Sequence, residues 1–173
     1  RNSLVALNCA KILGASIEGA NEALAEYTVL DGRGQTTVVG DITIINDAYN
    51  AAPTSMKAAI EFVSSTTMRS NKWLVLGDML ELGDNEQAFH EQIAESIDPS
   101  IISHVCLYGP RMKALYNKLL AKFDVTKLTY SESDYAPIIE TIDKNATVES
   151  LILVKGSRGM KLETIINAFT KAL

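Results

Sequence analysis

The sequence predicts an α/β protein whose core is a mostly parallel β-sheet. From Trp73 onward, short apolar runs rich in Val, Ile and Leu alternate with longer amphipathic stretches. Such runs are typical of strands that helices bury on both faces. Gly40 and Asp41 separate two earlier runs, and this two-residue spacing predicts a hairpin. We therefore predict a doubly wound, Rossmann-like sheet of about six strands, of which one is antiparallel.

Composition limits the class of protein. A chain of 173 residues that is 47% hydrophobic can bury one core with a short appendage. Its net charge of −5 argues against nucleic acid as a partner, since such binders usually carry a basic excess. There is no apolar run of the roughly 20 residues that membrane insertion requires, and no signal segment, so we expect a cytoplasmic protein. Cys9 and Cys106 are predicted to be small buried hydrophobes in a reducing compartment.

The first 27 residues are predicted to form two short helices. One covers residues 2–13 and ends before Gly14, and the other covers residues 17–27 with Ser16 as its N-cap. Two such helices cannot close a core, and the helical pattern begins at once at Arg1. We therefore expect residues 1–27 to be the end of a preceding domain, residues 28–34 a linker and residues 35–173 the main domain.

The elements of the main domain follow from the alternation of apolar runs and amphipathic stretches. The predicted strands are residues 36–39, 42–45, 73–76, 105–108, 128–130 and 151–154. The first predicted helix begins at Pro53, since proline is tolerated in a first helical turn. The other predicted helices cover residues 86–97, 112–123, 134–142 and 162–173.

Three of the loops that follow parallel strands are chemically unusual. They are NDAYNAAP from Asn46, GDMLELGDNE from Gly77 and KGSRGMKLE from Lys155. In a parallel sheet these loops meet at the carboxyl edge of the strands, where ligands bind. The loops at residues 109–111 and 131–133 are predicted to be ordinary turns.

Asp47 could accept two hydroxyl hydrogen bonds, as a ribose-binding carboxylate does, or it could form an Asx turn. Tyr49 and Asn50 offer a ring face and an amide, or they could simply close that turn. Lys155, Ser157 and Arg158 place two cations and a hydroxyl among glycines, which suits an anionic group or a solvated turn.

Asp78 and Glu81 could be a general acid/base pair or a metal site. Because no His stands at ligand spacing, we prefer the interpretation that their loop shapes the edge of the sheet. His90 is predicted to cap or support that loop, and His104 to be structural. The sequence has no phosphate-binding loop, dinucleotide fingerprint, zinc spacing or nucleophile elbow. The residues alone thus predict a nucleotide- or anion-handling domain that lacks its own phosphate machinery.

Together the three loops resemble one family. NDAYNAAPTSM is similar to D-x-Y-N-x-x-P-x-S-M, LGDMLELG followed by His90 is similar to LGDM-x-ELG…H, and VKGSRGMKLE is similar to KGSRG-x-x-LE. These segments are typical of the C-terminal domain of Mur ligases, in particular the members that add D-alanyl-D-alanine to UDP-N-acetylmuramoyl-tripeptide. The resemblance covers residues 35–173.

The resemblance implies a three-domain enzyme of peptidoglycan precursor synthesis. ATP phosphorylates the tripeptide carboxylate, and the amine of D-alanyl-D-alanine attacks the acyl phosphate. The phosphate loop, the magnesium ligands and a modified lysine belong to the central domain of such enzymes. We therefore expect this fragment to be inactive without the N-terminal and central domains.

The resemblance also implies roles for individual residues on a solvent-facing edge. The expected ATP contacts are Arg33 at a phosphate, Asp47 at the ribose, Tyr49 and Asn50 beside it, and Asn2 near the base. The residues expected to face the peptide substrate are Lys155, Ser157 and Arg158.

Three positions depart from the family pattern. Arg1 stands where the family has His, Val5 where it has a second Asn, and Ala52 where it often has Asn. We interpret these as divergence within the family. Two alternatives remain open: another ATP-dependent Mur or folylpolyglutamate-type amide ligase, or a free-standing Rossmann-like binding module.

Overall fold

The computed structural model describes residues 2–28 and 30–170, with the side chains of residues 2 and 3 left out. Contacts divide the chain into two compact units, Arg1–Leu30 and Asp31–Leu173. This division falls inside the predicted linker. That the first unit is the end of a central ATPase domain stays a prediction.

The first unit contains α1 (Asn2–Ile12) and α2 (Ile17–Ala25). Ser16 caps α2 as predicted, because its Oγ accepts a hydrogen bond from the backbone N–H of Gly19 at 3.0 Å. Among the side chains described here the pair forms no core, since α2 buries no residue and Leu13 is 85% exposed. The prediction that Cys9 is buried was therefore wrong: this cysteine is exposed.

The second unit is built on a six-stranded sheet, which confirms the predicted α/β fold. Its strand order is β1-β2-β6-β3-β4-β5; β1 runs antiparallel to β2, and every other neighbouring pair is parallel. The strands are β1 (Gln35–Val39), β2 (Ile42–Asp47), β3 (Asn71–Gly77), β4 (Ile102–Tyr108), β5 (Leu128–Ser131) and β6 (Ser150–Lys155). Gly40 makes the predicted hairpin turn at a φ of 56°, a conformation that glycine adopts without strain.

Within the part of the chain that the structure describes, five α-helices cover this sheet. They are α3 (Pro53–Ser65), α4 (Glu86–Gln92), α5 (Met112–Leu119), α6 (Ala136–Asn145) and α7 (Glu163–Thr170). The helix predicted over residues 86–97 divides into α4 and a 3₁₀ turn, Ile93–Ser96. Such tightening is common at the end of an α-helix.

Side-chain alternation along the strands produces two hydrophobic cores. Leu74 and Leu76 of β3 pack on the face covered by α3, α4 and α5, whereas Trp73 and Val75 pack on the face covered by α6 and α7. β6 lies between β2 and β3, and each of its residues is buried. The ends of β2, β3 and β6 are therefore adjacent at the carboxyl edge. Among the helices of the described residues, each is too short or too polar to cross a membrane.

Candidate functional site

The carboxyl edge gathers the three loops that the sequence singled out. We call them the β2 loop (residues 48–52), the β3 loop (residues 78–82) and the β6 loop (residues 156–161). Asp47 and Lys155, the last residues of β2 and β6, are register partners on neighbouring strands. The site is thus assembled by strand order, which brings together residues far apart in sequence.

Asn46 fixes the start of the β2 loop. Its Oδ1 accepts a hydrogen bond from the backbone N–H of Ala48 at 3.2 Å, forming an Asx turn. Its Nδ2 donates to Oδ1 of Asp31 at 3.0 Å. Sequence reasoning considered an Asx turn for Asp47 but missed Asn46. The signal was available, because Asn46 is the first polar residue after the apolar run.

The segment that carries Arg33 lies against the β2 loop. The backbone N–H of Tyr49 donates to the carbonyl oxygen of Gly32 at 2.9 Å, and the backbone N–H of Gly34 donates to the backbone carbonyl oxygen of Asn46 at 2.8 Å. Gly32 has a φ of 72°, and a Cβ there would stand 3.0 Å from the Tyr49 nitrogen. Glycine permits both this conformation and this close approach.

Two arginines converge on the ring of Tyr49. The Cζ atom of Arg33 lies 4.1 Å from the ring centroid, and that of Arg158, from the β6 loop, lies 5.0 Å away. Both distances are within the range of cation–π attraction. All three side chains are exposed, and beside them is a small cavity of about 90 Å³ whose lining includes Tyr49 and Arg158 together with the acidic residues Asp31 and Glu163. The cluster combines positive charge with an aromatic face, which suits an anionic ligand that carries a ring.

Asp47 is held by Lys155. The Nζ atom of Lys155 donates to Oδ2 of Asp47 at 2.6 Å and to the carbonyl oxygen of Asn50 at 2.9 Å. The Lys155 side chain is 3% exposed and that of Asp47 is 26% exposed. Asp47 is therefore partly exposed at this edge, and one of its two carboxylate oxygens is committed to the ion pair with Lys155.

Asn50 is exposed, and its Oδ1 accepts a hydrogen bond from the backbone N–H of Ala51 at 2.8 Å. Ala52, the N-cap residue of α3 and a position where the family was expected to have Asn, makes no side-chain cap hydrogen bond. The Oγ of Ser55 accepts the backbone N–H of Ala52 at 3.0 Å and so closes the start of α3.

Ser157 connects all three loops. Its Oγ accepts the backbone N–H of Leu80 at 2.9 Å and donates to the carbonyl oxygen of Ala51 at 3.5 Å. Its own backbone N–H donates to the backbone carbonyl oxygen of Asp78 at 3.0 Å. Ser157 is 4% exposed and Lys155 is 2% exposed. Of the three residues expected to face the peptide substrate, Arg158 alone is exposed. Contact of Lys155 and Ser157 with substrate stays a prediction, and their geometry supports a role inside the domain.

Asp78 is a helix cap. Its two carboxylate oxygens accept the backbone N–H groups of Arg111 at 3.2 Å and Met112 at 2.9 Å, at the start of α5. Burial raises the pKa of the Asp78 carboxyl, and the two backbone hydrogen bonds oppose that rise. This geometry agrees with the preferred interpretation that the β3 loop shapes the edge.

His90 anchors the β3 loop to α4. The ring is fully buried; its Nε2 accepts the backbone N–H of Met79 at 3.0 Å, and its Nδ1 lies 2.6 Å from the carbonyl oxygen of Glu86. Nδ1 must therefore be the protonated nitrogen. The other histidine, His104, stacks on Trp73 with ring centroids 3.9 Å apart. The predicted supporting roles of both histidines agree with this geometry.

A larger cleft of about 520 Å³ lies between α4 and α5. Of its two lining cations, Arg111 is paired with Glu86 at 2.5 Å and with Asp78 at 3.5 Å, and Lys113 lies 4.8 Å from the ring centroids of Tyr116 and Tyr130. Because two carboxylates already neutralise this guanidinium, we place the candidate site at the Tyr49 cluster.

Two other expectations concern the N-terminal residues and a metal ion. Arg1 and the side chain of Asn2 are outside the described residues, so the expected contact of Asn2 with the nucleotide base is a prediction. Within residues 2–28 and 30–170, no group of three or more His, Cys, Asp or Glu side chains could hold a metal ion.

The fold and this edge together define a Rossmann-like domain that presents a cationic, aromatic cluster where such sheets bind nucleotides. The chain belongs to the Mur ligase family, since residues 32–158 match the family model described as Mur ligase, glutamate ligase domain.

Relatives of known activity extend over nearly the whole chain. This chain is 37% identical over 166 residues to the UDP-N-acetylmuramoyl-tripeptide–D-alanyl-D-alanine ligase of Bacillus subtilis. The match covers 95% of this chain and 36% of that enzyme. MurF from Acinetobacter baumannii superposes with a TM-score of 0.81 at 28% identity, over 98% of this chain and 37% of that one. MurF ligase from Thermotoga maritima in complex with ADP has the same fold, with a TM-score of 0.79 at 23% identity, over 95% of this chain and 36% of that one. The chain thus spans about a third of the length of its relatives.

Proposed function

We propose that this chain is the C-terminal domain of an ATP-dependent ligase that joins D-alanyl-D-alanine to UDP-N-acetylmuramoyl-tripeptide in peptidoglycan precursor synthesis. The observation that carries the proposal is the 37% identity to a ligase of that name over 95% of this chain. The three loops add support, because they form one connected edge around Tyr49.

In the proposed reaction, the terminal phosphoryl group of ATP passes to the tripeptide carboxylate and releases ADP. The amine of D-alanyl-D-alanine then attacks the acyl carbon, phosphate leaves, and the nitrogen loses a proton. The residues that hold the triphosphate and magnesium would lie outside this chain, so the fragment alone would be inactive. A nucleotide-linked substrate and ATP are both consistent with a cytoplasmic enzyme.

This domain would supply one side of the nucleotide site. Arg33 would approach an ATP phosphate, the Oδ1 atom of Asp47 would accept a ribose hydroxyl, and Tyr49 and Asn50 would pack beside it. The support is that Oδ2 of Asp47 is occupied by Lys155, whereas Oδ1 accepts no hydrogen bond among the described residues. Arg158 would face the peptide substrate from the neighbouring β6 loop.

Among the described residues, the first unit exposes large apolar side chains, notably Leu4, Ile12, Leu13 and Ile17. Such side chains normally pack against other parts of a protein. We propose that residues 1–27 complete a central ATPase domain and that residues 28–34 link it to this one.

Activity of the full-length protein tests the proposal. With UDP-N-acetylmuramoyl-tripeptide, ATP and D-alanyl-D-alanine, we expect phosphate release and a product heavier by the added dipeptide. Omitting D-alanyl-D-alanine is the control and should abolish that product. Turnover with a folate and glutamate instead would favour the folylpolyglutamate-type alternative, and binding of ATP without turnover on either set would favour a binding module.

A further inference from the structure

Lys155 is buried at the centre of the sheet edge. Strand β6 lies between β2 and β3, and the Lys155 side chain is 3% exposed. Lysine is almost never fully buried unless it is paired, because removing an ammonium group from water is costly. Here both of its contacts go to the protein itself, to Oδ2 of Asp47 and to the carbonyl oxygen of Asn50.

These two contacts bracket Tyr49. By holding residues 47 and 50, the ammonium group closes the β2 loop into an arch that presents the Tyr49 ring outward, where it is 39% exposed. The 2.6 Å bond also orients the Asp47 carboxylate, so that Oδ2 points inward to Lys155. A single buried cation thus sets the position of three groups on the nucleotide side of the proposed site.

The ion pair has an electrostatic consequence as well. A nucleotide brings several negative charges to this edge, and an unpaired carboxylate would repel them. Lys155 compensates the charge of Asp47 while leaving Oδ1 as a hydrogen-bond acceptor for a neutral hydroxyl.

We propose that Lys155 is a positioning residue for nucleotide binding and does not contact the peptide substrate. The inference rests on the proposed function and refines it, since Lys155 moves from the peptide side of the site to the nucleotide side. A substrate contact would require the ammonium group to leave both Asp47 and Asn50 and to cross from the interior to the surface.

Steady-state kinetics of the full-length enzyme test this with Lys155→Met, which keeps the length and volume of the side chain. We expect the KM for ATP to rise about tenfold, because Asp47 would lose the bond that orients it and its unpaired charge would repel the nucleotide. The KM values for UDP-N-acetylmuramoyl-tripeptide and D-alanyl-D-alanine should change less than about twofold, and kcat at saturating ATP should be retained. Lys161→Met is the matched control, because Lys161 is an exposed lysine of the same loop, and it should match the wild type.

A double-mutant cycle separates positioning from other causes. In an Asp47→Asn background, Lys155→Met should raise the KM for ATP little further, because the partner charge is already gone. Should Lys155→Met fail to fold, Lys155→Gln retains a hydrogen-bond donor and should give a smaller rise in the same KM.

The inference is overturned if the variants raise the KM for either peptide substrate and leave the KM for ATP unchanged, or if the two substitutions are additive. Failure of the proposed function would be observed separately, because the wild-type enzyme would then form no dipeptide-extended product.

Discussion

Replacing Asp47 with Ala should destabilise the domain, although Asp47 lies at the edge of a candidate binding site. The substitution leaves the Lys155 ammonium group buried with one remaining contact, the carbonyl oxygen of Asn50 at 2.9 Å. Removing one partner of a fully buried ion pair costs about 3–5 kcal/mol. Because the Asp47 side chain is 26% exposed, water can enter the space it leaves, and we reduce the expected loss to about 2 kcal/mol.

The reverse substitution, Lys155→Met, should cost less, about 1 kcal/mol, because the remaining carboxylate can be hydrated. The double variant should be about as stable as Lys155→Met alone, since no buried charge is left without a partner. The unequal stability losses of the two single variants distinguish an ion pair whose lysine is buried from two independent surface charges.

Thermal unfolding followed by tryptophan fluorescence measures the effect. Trp73 is the single tryptophan of the sequence and is fully buried in the second unit, so its signal reports that unit. A loss of about 2 kcal/mol corresponds to a Tm lower by roughly 4–8 °C for a domain of this size. Asp143→Ala, which removes an exposed carboxylate from α6, is the control and should leave the Tm nearly unchanged. If Asp47→Ala unfolds at the wild-type temperature, or if the two single effects simply add, Asp47 and Lys155 do not stabilise the domain as a buried ion pair.

Three further outcomes follow. His90→Ala should lower stability by about 2–4 kcal/mol, because it leaves a cavity and an unpaired backbone N–H in the β3 loop; an unchanged urea midpoint would contradict this. At pH 8 an alkylating reagent should modify Cys9 alone in the native chain and both cysteines in urea, since burial raises the pKa of Cys106 to about 12. Calorimetry of this chain alone should detect no binding of ATP, and tight binding would show that the fragment carries its own triphosphate site.

The local elements of the fold could be predicted because they depend on local sequence patterns. The alternation of apolar runs gave the six strands, and the two-residue spacing at Gly40 gave the hairpin. The burial of Cys9 could not be judged from its apolar neighbours, because burial depends on what covers a helix face.

The contacts of the site were harder to predict, because they depend on the order of the strands. Asp47 and Lys155 are separated by 108 residues and meet because β6 inserts between β2 and β3. Residue type suggested an anion site for Lys155 and Ser157, which stays a prediction; their hydrogen bonds to the neighbouring loops depend on strand order and could not be read from the sequence. Asp78 likewise resembled an acid/base candidate in sequence, and its two backbone partners at the start of α5 became visible in the structure.

Under the proposed function, this edge is the nucleotide-facing half of an ATP-dependent ligase site. Arg33→Ala in the full-length enzyme tests it most directly, because Arg33 is exposed and its change should not affect folding. We expect a KM for ATP raised about tenfold or more, with the KM for D-alanyl-D-alanine and the Tm unchanged. A variant that uses ATP with the wild-type KM would contradict the claim.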